Sequence, residues 1–243
     1  MPIVIGPGIT VGSGITMGGG FSPSATLIFD LDAANYSALP VNGSVTAGEG
    51  TTGQRTLQVV NTTSRLSWAA DNGGVFRMTG SGTTSSDYII GGPNWTTGQS
   101  YTVFMAYRRS TAASGRLLNT SVEAQKDWLM GLYNGNPNTF YPNFAVNLPA
   151  SGADLVWHLD WATWNTSTST GQIWGATNTQ PTNFLFSGIN GGGGGFNNLR
   201  LFSRASGSEA QTGDIGFVKV YNGVLTLSDI QGLYAQYKSR FGY

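Results

Sequence analysis

Cysteine is absent from the 243-residue sequence, and charged side chains are scarce. Without cysteine the chain cannot be a disulfide scaffold, hold a thiolate zinc site or use a cysteine nucleophile. Charged residues make up 10% of the chain, against about 25% in an ordinary soluble domain. Serine, threonine, asparagine and glycine supply the polar balance instead, which is typical of a turn-rich β protein or of a subunit packed among others.

The formal net charge of the chain is zero, from 12 basic and 12 acidic residues. Binding to nucleic acid or to an anionic membrane needs a basic patch, and the sequence has no run of lysine or arginine. No stretch approaches the roughly 20 apolar residues of a membrane helix, and the N-terminus lacks the basic start of a signal peptide. We therefore expect no nucleic-acid and no membrane partner, and a surface suited to proteins or sugars.

Near the N-terminus a six-residue pattern repeats three times, as IGPGIT (5–10), VGSGIT (11–16) and MGGGFS (17–22). Glycine fills the positions between the apolar residues, which are Ile5, Ile9, Val11, Ile15 and Met17. A short repeat of this kind cannot bury its own apolar side, so it must stack on copies of itself or on a partner. We interpret residues 1–24 as an anchoring or oligomerising arm, with a flexible glycine-rich tail as the alternative.

From Ala25 onwards, short runs of apolar and polar residues alternate, which is the pattern of half-buried strands. The clearest run is YTVFMAYR at 101–108, rich in β-branched and aromatic residues. The other predicted strands lie at 25–32, 57–61, 65–69, 74–79, 86–90, 115–119, 127–133, 142–147, 155–164, 170–175, 184–188, 196–202 and 213–221. Turn signals separate these runs at the spacing of a β-sandwich or barrel.

One amphipathic helix is predicted at the C-terminus. Ser228 is the expected N-cap, with Gln231 completing a capping box, and Gly242 is the expected stop. The apolar stripe that should dock on the sheets is formed by Ile230, Leu233, Tyr234, Tyr237 and Phe241. The fold class is therefore all-β, a two-sheet antiparallel sandwich over 25–243 with one short C-terminal helix and a glycine-rich N-terminal arm.

Several segments in order along 25–243 resemble the concanavalin A-like lectin/laminin-G jelly-roll modules, and more narrowly the version found in bacteriophage structural proteins. The segments are FDLDAANYS (29–37), YTVFMAYRR (101–109), RLLNTS (116–121), WLMGLYNG (128–135), VWHLDWATW (156–164) and GDIGFVKVYNGVLTLSDIQGLYAQYKSRFG (213–242). The resemblance implies two face-to-face antiparallel sheets of jelly-roll topology. It implies little about activity, because this fold hosts lectins, hydrolases, lyases and inert packing modules.

Enzymatic chemistry finds little support in the sequence. Glycoside hydrolases need two opposed carboxylates roughly 5–9 Å apart, and no E-x-D-x-x-E string occurs. The nearest pair on one strand face is Asp30 and Asp32, and we expect Asp32 to accept backbone N–H groups in the following turn. His158 and Asp160 share a strand face, but no nucleophile elbow accompanies them, so we interpret His158 as a structural residue. We predict no enzyme, no catalytic residue, no metal and no cofactor.

Glycine-rich and aromatic segments remain as candidates for binding. The run GGGGGF at 191–196 lacks the Lys-Ser/Thr of a phosphate loop and is interpreted as structural. By alternation Trp157 and Trp161 belong to the core. Trp164 ends its strand, where we expect it to be exposed, and the predicted loop 134–144 contains further amides and rings. Asparagine amides and flat rings suit either a sugar site or a protein interface, so the candidate glycan-binding residues are Trp164, Asn165, Tyr141 and Asn138.

These observations together favour a non-enzymatic structural protein of a bacteriophage particle. The arm would attach it to other virion proteins, and the jelly roll would face outward as capsid decoration, cement or fibre, with host glycans as a further candidate partner. We expect it to be made in the host cytoplasm and to reside in the virion as a homo-oligomer, with a trimer preferred. The alternatives are a receptor-binding lectin of a tail fibre and, less favoured, a polysaccharide depolymerase.

Overall fold

The computed structural model of the chain describes residues 21–40, 43–44, 56–80, 87–95, 99–111, 115–120, 128–133, 136–141, 155–189, 196–204, 206 and 208–243. The five apolar residues predicted to form the arm lie outside this part, as do the predicted strand 142–147 and the glycine run 191–195.

The described residues form two antiparallel sheets. The strands are β1 (Thr26–Asp32), β2 (Gly43–Ser44), β3 (Thr56–Val60), β4 (Leu66–Ala69), β5 (Val75–Met78), β6 (Tyr88–Trp95), β7 (Tyr101–Arg109), β8 (Leu118–Thr120), β9 (Leu129–Tyr133), β10 (Asn136–Tyr141), β11 (His158–Asn165), β12 (Thr170–Ala176), β13 (Phe186–Ile189), β14 (Phe196–Leu201) and β15 (Gly213–Asn222). One sheet has the order β13-β12-β11-β7-β15-β5-β4, with β1 also paired to β15. The other has the order β10-β9-β8-β14-β6-β3-β2.

The C-terminal helix α1 (Leu227–Tyr237) packs on the first of these sheets, which we call the helix-side sheet. The second is called the opposite sheet. An inner core lies between the two sheets and includes Phe29, Met105 and Leu201, all buried. An outer core lies between the helix-side sheet and α1, and includes Phe104, Phe217 and Leu233. Because residues alternate sides along a strand, β7 and β15 of the helix-side sheet contribute to both cores. These two strands therefore place apolar residues on both faces of the sheet.

The N-cap of α1 is Thr226, so the prediction of Ser228 was wrong. The Thr226 hydroxyl accepts from the backbone N–H of Asp229, and the Asp229 carboxylate accepts from the backbone N–H of Thr226 at 2.9 Å. This is a capping box placed two residues before the predicted one. After α1 a 3-10 turn, Lys238–Phe241, ends at Gly242, which adopts the left-handed conformation (φ 86°) and confirms the predicted stop.

The segment 21–24 also contacts α1. The backbone N–H and hydroxyl of Ser24 donate to the two carboxylate oxygens of Asp229, at 2.9 and 2.6 Å. The ring of Phe21 lies so close to Gly232 that a β-carbon there would meet it at 2.5 Å. Asp229 therefore belongs to the N-terminal cap of α1 and also binds Ser24, the last residue of the predicted arm.

The two-sheet sandwich and its single C-terminal α-helix confirm the predicted fold class within the described residues. Residues 136–141 correct one element, because the predicted loop 134–144 contains strand β10 paired with β9. The run NPNTFY has the asparagine and proline of a turn, but it forms the edge of the opposite sheet, where proline is tolerated. No helix in the described part of the chain is long and apolar enough to cross a bilayer.

Candidate functional site

Trp164 is buried, with 1% of its surface exposed, so the prediction of an exposed ring was wrong. It lies on β11 opposite Tyr101 of β7 and shares a face with Ala162, which points into the inner core. Alternation along the strand decides this, because a residue in step with an inward-facing alanine also faces inward. The indole of Trp164 is packed between the sheets and cannot stack on a sugar.

Among the other three predicted glycan-binding residues, the structure describes the side chain of Asn165. Asn165 is half-buried, and its amide oxygen accepts from the backbone N–H and the hydroxyl of Ser167, at 3.0 and 2.7 Å, so it shapes the turn after β11. The backbone of Asn138 and Tyr141 belongs to β10, while their side chains lie outside the described part of the structure. A role for these two residues stays a prediction.

Asp30 and Asp32 form structural ion pairs. Lys219 of β15, buried at 3% side-chain exposure, donates to Asp30 at 2.5 Å and lies 3.7 Å from Asp32. Burial lowers the pKa of Lys219, but the neighbouring carboxylates outweigh it and raise the pKa overall. Asp32 accepts from the backbone N–H of Ala34 at 2.9 Å, as predicted, and from Arg240 at 2.7 Å. These carboxylates anchor the sheet and the C-terminal turn.

His158 and Asp160 are buried on the inward face of β11. Asp160 accepts a hydrogen bond from the hydroxyl of Tyr107 at 2.8 Å, and the ring of Tyr107 stacks on the imidazole of His158 with centroids 5.1 Å apart. Both are held by the core, in agreement with the structural interpretation. Among the described residues, no three His, Asp or Glu side chains come together as a metal-binding group.

A polar row crosses the outer face of the helix-side sheet. Asp214 of β15 is opposite Arg77 of β5 on one side and Arg108 of β7 on the other. Arg77 donates to Asp214 through Nε at 2.7 Å and Nη2 at 3.1 Å, and Arg108 donates through Nη2 at 2.6 Å. Register thus places a buried carboxylate between two guanidinium groups on adjacent strands.

Trp157 lies at the end of this row, directly before β11. It precedes His158, which pairs with Tyr107, so Trp157 lies beside Arg108. The guanidinium carbon of Arg108 is 5.2 Å from the centroid of the indole, within the range of a cation–π contact. The hydroxyl of Tyr243 donates to the backbone carbonyl of Trp157. We call Arg77, Asp214, Arg108 and Trp157 the arginine row.

A cleft of about 320 Å³ opens beside the arginine row. Exposed Leu155 forms part of its wall, with 55% of its surface accessible, and the next residue, Val156, is 48% exposed. The cleft is lined by Arg77, Met78, Thr79, Arg108, Arg109, Ser110, Leu155 and Asp214. We call it the arginine cleft.

Gly213 allows the strands beneath the cleft to meet. A β-carbon on Gly213 would lie 2.3 Å from the carbonyl oxygen of Arg108 and 2.8 Å from the α-carbon of Arg109, closer than any real contact. Only glycine permits this backbone approach, which brings Asp214 level with Arg108. The glycine of the G-D-I-G segment therefore has a direct role in building the row.

The hydrogen bonds of Arg77 shift the pKa of its own guanidinium and the pKa of Asp71. Arg77 donates hydrogen bonds to Asp214 and to Asp71, and both raise the pKa of Arg77 above its ordinary value, the bond to Asp214 more strongly. The hydrogen bond that the exposed Asp71 carboxylate accepts from Arg77 lowers the pKa of Asp71. Arg77 therefore stays protonated and Asp71 stays ionised at neutral pH.

Sequence reasoning missed this cleft. The signals were present, since Arg108 and Arg109 end the clearest strand and Asp214 follows Gly213 in the segment most specific for the fold. Neither segment contains a sequence motif that indicates binding or catalysis. Arg77 and Asp214 are 137 residues apart, and only the strand order joins them.

No protein-family model matches the chain, and no curated protein is significantly similar to it in sequence. Solved structures are similar in fold. Domain 4 of an extracellular arabinanase from Geobacillus stearothermophilus, in complex with arabinotriose, is 14% identical, with a TM-score of 0.55 over 86% of this chain and 98% of that domain. The sialidase of Trypanosoma rangeli with the inhibitor DANA is 15% identical, with a TM-score of 0.55 over 87% of this chain and 33% of the sialidase.

The ligand-binding domain of botulinum neurotoxin serotype D, in complex with N-acetylneuraminic acid, is 14% identical, with a TM-score of 0.52. The match covers 86% of this chain and 50% of that one. At these identities the similarities establish the fold alone. The chain has a β-sandwich of the kind found in these carbohydrate-related proteins.

Proposed function

We propose that this chain is a non-enzymatic adhesion domain that binds carbohydrate in the arginine cleft. The observation that carries the proposal is the composition of the cleft, which places fixed guanidinium donors beside exposed Leu155 and the exposed residues Thr79 and Ser110. Sugars present both hydroxyl groups and apolar C–H faces, so a sugar site needs a few oriented polar groups next to an apolar surface.

The similar structures are compatible with this role. These structures include complexes with arabinotriose and with N-acetylneuraminic acid, in proteins that contain the same type of sandwich. Because one fold serves many functions, these examples support a carbohydrate ligand only in a general way. The identity of the site rests on the residues of the cleft.

The state of the carboxylates supports a non-enzymatic role. Retaining and inverting glycosidases both require a free pair of opposed carboxyl groups. Each acidic side chain in the described part of the chain is hydrogen-bonded or ion-paired within the protein; these are Asp30, Asp32, Asp71, Asp87, Asp160, Glu209, Asp214 and Asp229. Such carboxylates are committed to the fold, which favours binding over hydrolysis.

We place this adhesion domain on the surface of a bacteriophage particle. The support is the resemblance of 25–243 to phage jelly-roll modules and the repeated apolar positions of the N-terminal arm. In this proposal the arm joins other virion proteins, as capsid decoration or as part of a fibre, and the sandwich faces outward. Imaging of particles labelled with an antibody against the sandwich tests this placement, and label absent from the particle contradicts it.

A glycan array probed with the full chain tests the adhesion function. We expect binding to a subset of glycans, and we expect no release of reducing sugar when those glycans are incubated with the chain. Binding to none of them would contradict the adhesion function and leave decoration alone. Sugar release that is abolished by changing one carboxylate would instead identify a depolymerase.

A further inference from the structure

We infer that the ligand of the arginine cleft is an acidic glycan, and that Arg108 binds a carboxylate on one of its sugar units. This inference rests on the proposed adhesion function and adds the chemical class of the sugar. Its basis is the hydrogen-bonding state of Arg108, the way this side chain is held, and the charge around it.

Arg108 has donors to spare. Among the described residues, its guanidinium makes one hydrogen bond, from Nη2 to Asp214, although the group carries five N–H donors. Its side chain is 35% exposed, so the remaining donors reach solvent at the cleft. A carboxylate matches the planar, parallel donors of a guanidinium and accepts two hydrogen bonds at once, whereas a sugar hydroxyl accepts only singly.

The guanidinium of Arg108 is held in place before any ligand arrives. Asp214 fixes one side of the group and is itself fixed by two hydrogen bonds from Arg77. The guanidinium carbon of Arg108 lies over the indole of Trp157, 5.2 Å from the centroid of the ring. An arginine that is already ordered loses less conformational freedom on binding, so its hydrogen bonds contribute more to affinity.

The charge of the cleft favours an anion. Among the described residues of its lining, Arg77 and Arg108 carry partly exposed guanidinium groups, Asp214 carries a buried carboxylate, and Arg109 is itself buried. Asp71 offsets part of this charge, but it contacts Arg77 and is not among the residues that line the cleft. Arg77 and Arg108, at 29% and 35% side-chain exposure, thus present a positive surface to the cleft, since Asp214 is only 6% exposed. The partner that complements it is negatively charged.

Leu155 adds the feature that distinguishes a sugar from a free anion. With 55% of its surface exposed beside the arginines, it offers an apolar wall for the C–H face of a pyranose ring. Thr79 and Ser110 are exposed at the same cleft and carry hydroxyl groups suited to sugar hydroxyls. The arrangement fits a uronic or nonulosonic acid unit better than an inorganic ion.

The test compares matched glycans and matched variants of the full chain. Binding is measured to polygalacturonate, to the same polymer with its carboxylates methyl-esterified, to polysialic acid, to a sulfated glycan and to neutral glycans. We expect binding to at least one carboxylated probe, about tenfold or more weaker binding once carboxylates are esterified, and weakening by added salt. We expect Arg108→Ala to weaken the binding about tenfold or more, and Arg108→Lys to restore only part of it.

Arg204→Ala is the matched control, because Arg204 is also a partly exposed arginine in an ion pair, with Glu209, and lies outside the cleft lining. It should bind as the unmodified chain does. The unfolding midpoint of each variant shows that the sandwich is intact. Binding to no glycan of any class would remove the adhesion function itself. Binding to neutral or sulfated glycans alone, or full affinity in a folded Arg108→Ala variant, would overturn this inference and leave the adhesion function standing.

Discussion

Asp214 shows how a single buried carboxylate can organise a surface. Its side chain is 6% exposed and accepts from Arg77 and Arg108, which are 29% and 35% exposed. Removing one member of a buried ion pair costs more than the pair contributes, because the remaining charges stay desolvated. The carboxylate of Asp214 is therefore the stabilising element of the arginine row, and the two arginines retain enough exposure to reach a ligand.

Asp214→Asn is expected to lower the free energy of unfolding by about 2 kcal/mol, below the value for a fully buried pair since both arginines are partly solvated. Urea unfolding at pH 7 measures this loss. The control is Asp71→Asn, which removes the exposed partner of Arg77 and should cost clearly less. Equal losses in the two variants would contradict the central role of Asp214.

Asp87 predicts a pH dependence. It is fully buried and accepts from Thr62, from Thr63 twice and from the backbone N–H of Arg65. Burial by itself raises the pKa of Asp87, but these hydrogen bonds outweigh it and lower the pKa below the ordinary value. A lowered pKa contributes stability above the unfolded value, near 3.9, and this stability is lost as pH falls through the folded value.

The difference in unfolding free energy between the unmodified chain and Asp87→Asn should therefore be full at neutral pH and shrink below about pH 4. Urea titrations between pH 7 and pH 2.5 measure it. A difference that stays constant down to the lowest pH would show that the charge of Asp87 is not what stabilises this turn.

At the scale of elements, the helix α1 was predicted by its apolar stripe but not by its cap. Both Thr226 and Ser228 are acceptable N-cap residues, and each has a polar residue three positions later. The structure selects Thr226 because Asp229 at N3 closes the box and also binds Ser24 of a distant segment. That second contact is invisible to local sequence pattern.

Thr226→Ala should destabilise the protein by about 1 kcal/mol through loss of the cap. Ser228→Ala, at the position predicted from sequence, should change stability by less than about 0.5 kcal/mol because Ser228 is exposed on the first turn. Thermal unfolding of the two variants distinguishes them. A larger effect of Ser228→Ala would contradict the assigned N-cap.

Strand β11 likewise combines a correct prediction from local pattern with a wrong one. Its alternation correctly assigned Trp157 and Trp161 to a core, and the indole of Trp161 stacks on Phe104 with ring centroids 4.3 Å apart. The position of Trp164 at the strand end suggested exposure. The prediction that Trp164 is exposed was wrong because the opposite sheet covers that end of β11. The sequence of one strand does not show how far the neighbouring sheet extends.

For the whole molecule, the arm prediction has a clear test. Ser24 and Phe21 dock on α1, so a cut after residue 20 leaves this attachment in place. Deleting residues 1–20 should therefore leave the unfolding midpoint unchanged, whereas the native mass should fall from that of an oligomer to that of a monomer. Light scattering measures the mass. A truncated chain that keeps its native mass and still joins particles would contradict the arm.

Local pattern accounts for most of the architecture: most strands after Ala25, the apolar stripe of α1 and the stop at Gly242 follow from spacing and conformational preference, whereas β2 and β10 were not predicted. These features depend on a few neighbouring residues, which the sequence displays directly. The arginine cleft does not, because β5, β7 and β15 become neighbours only through the strand order of the folded sheet. Tertiary pairing decides which polar side chains meet, since it joins residues that no local periodicity relates.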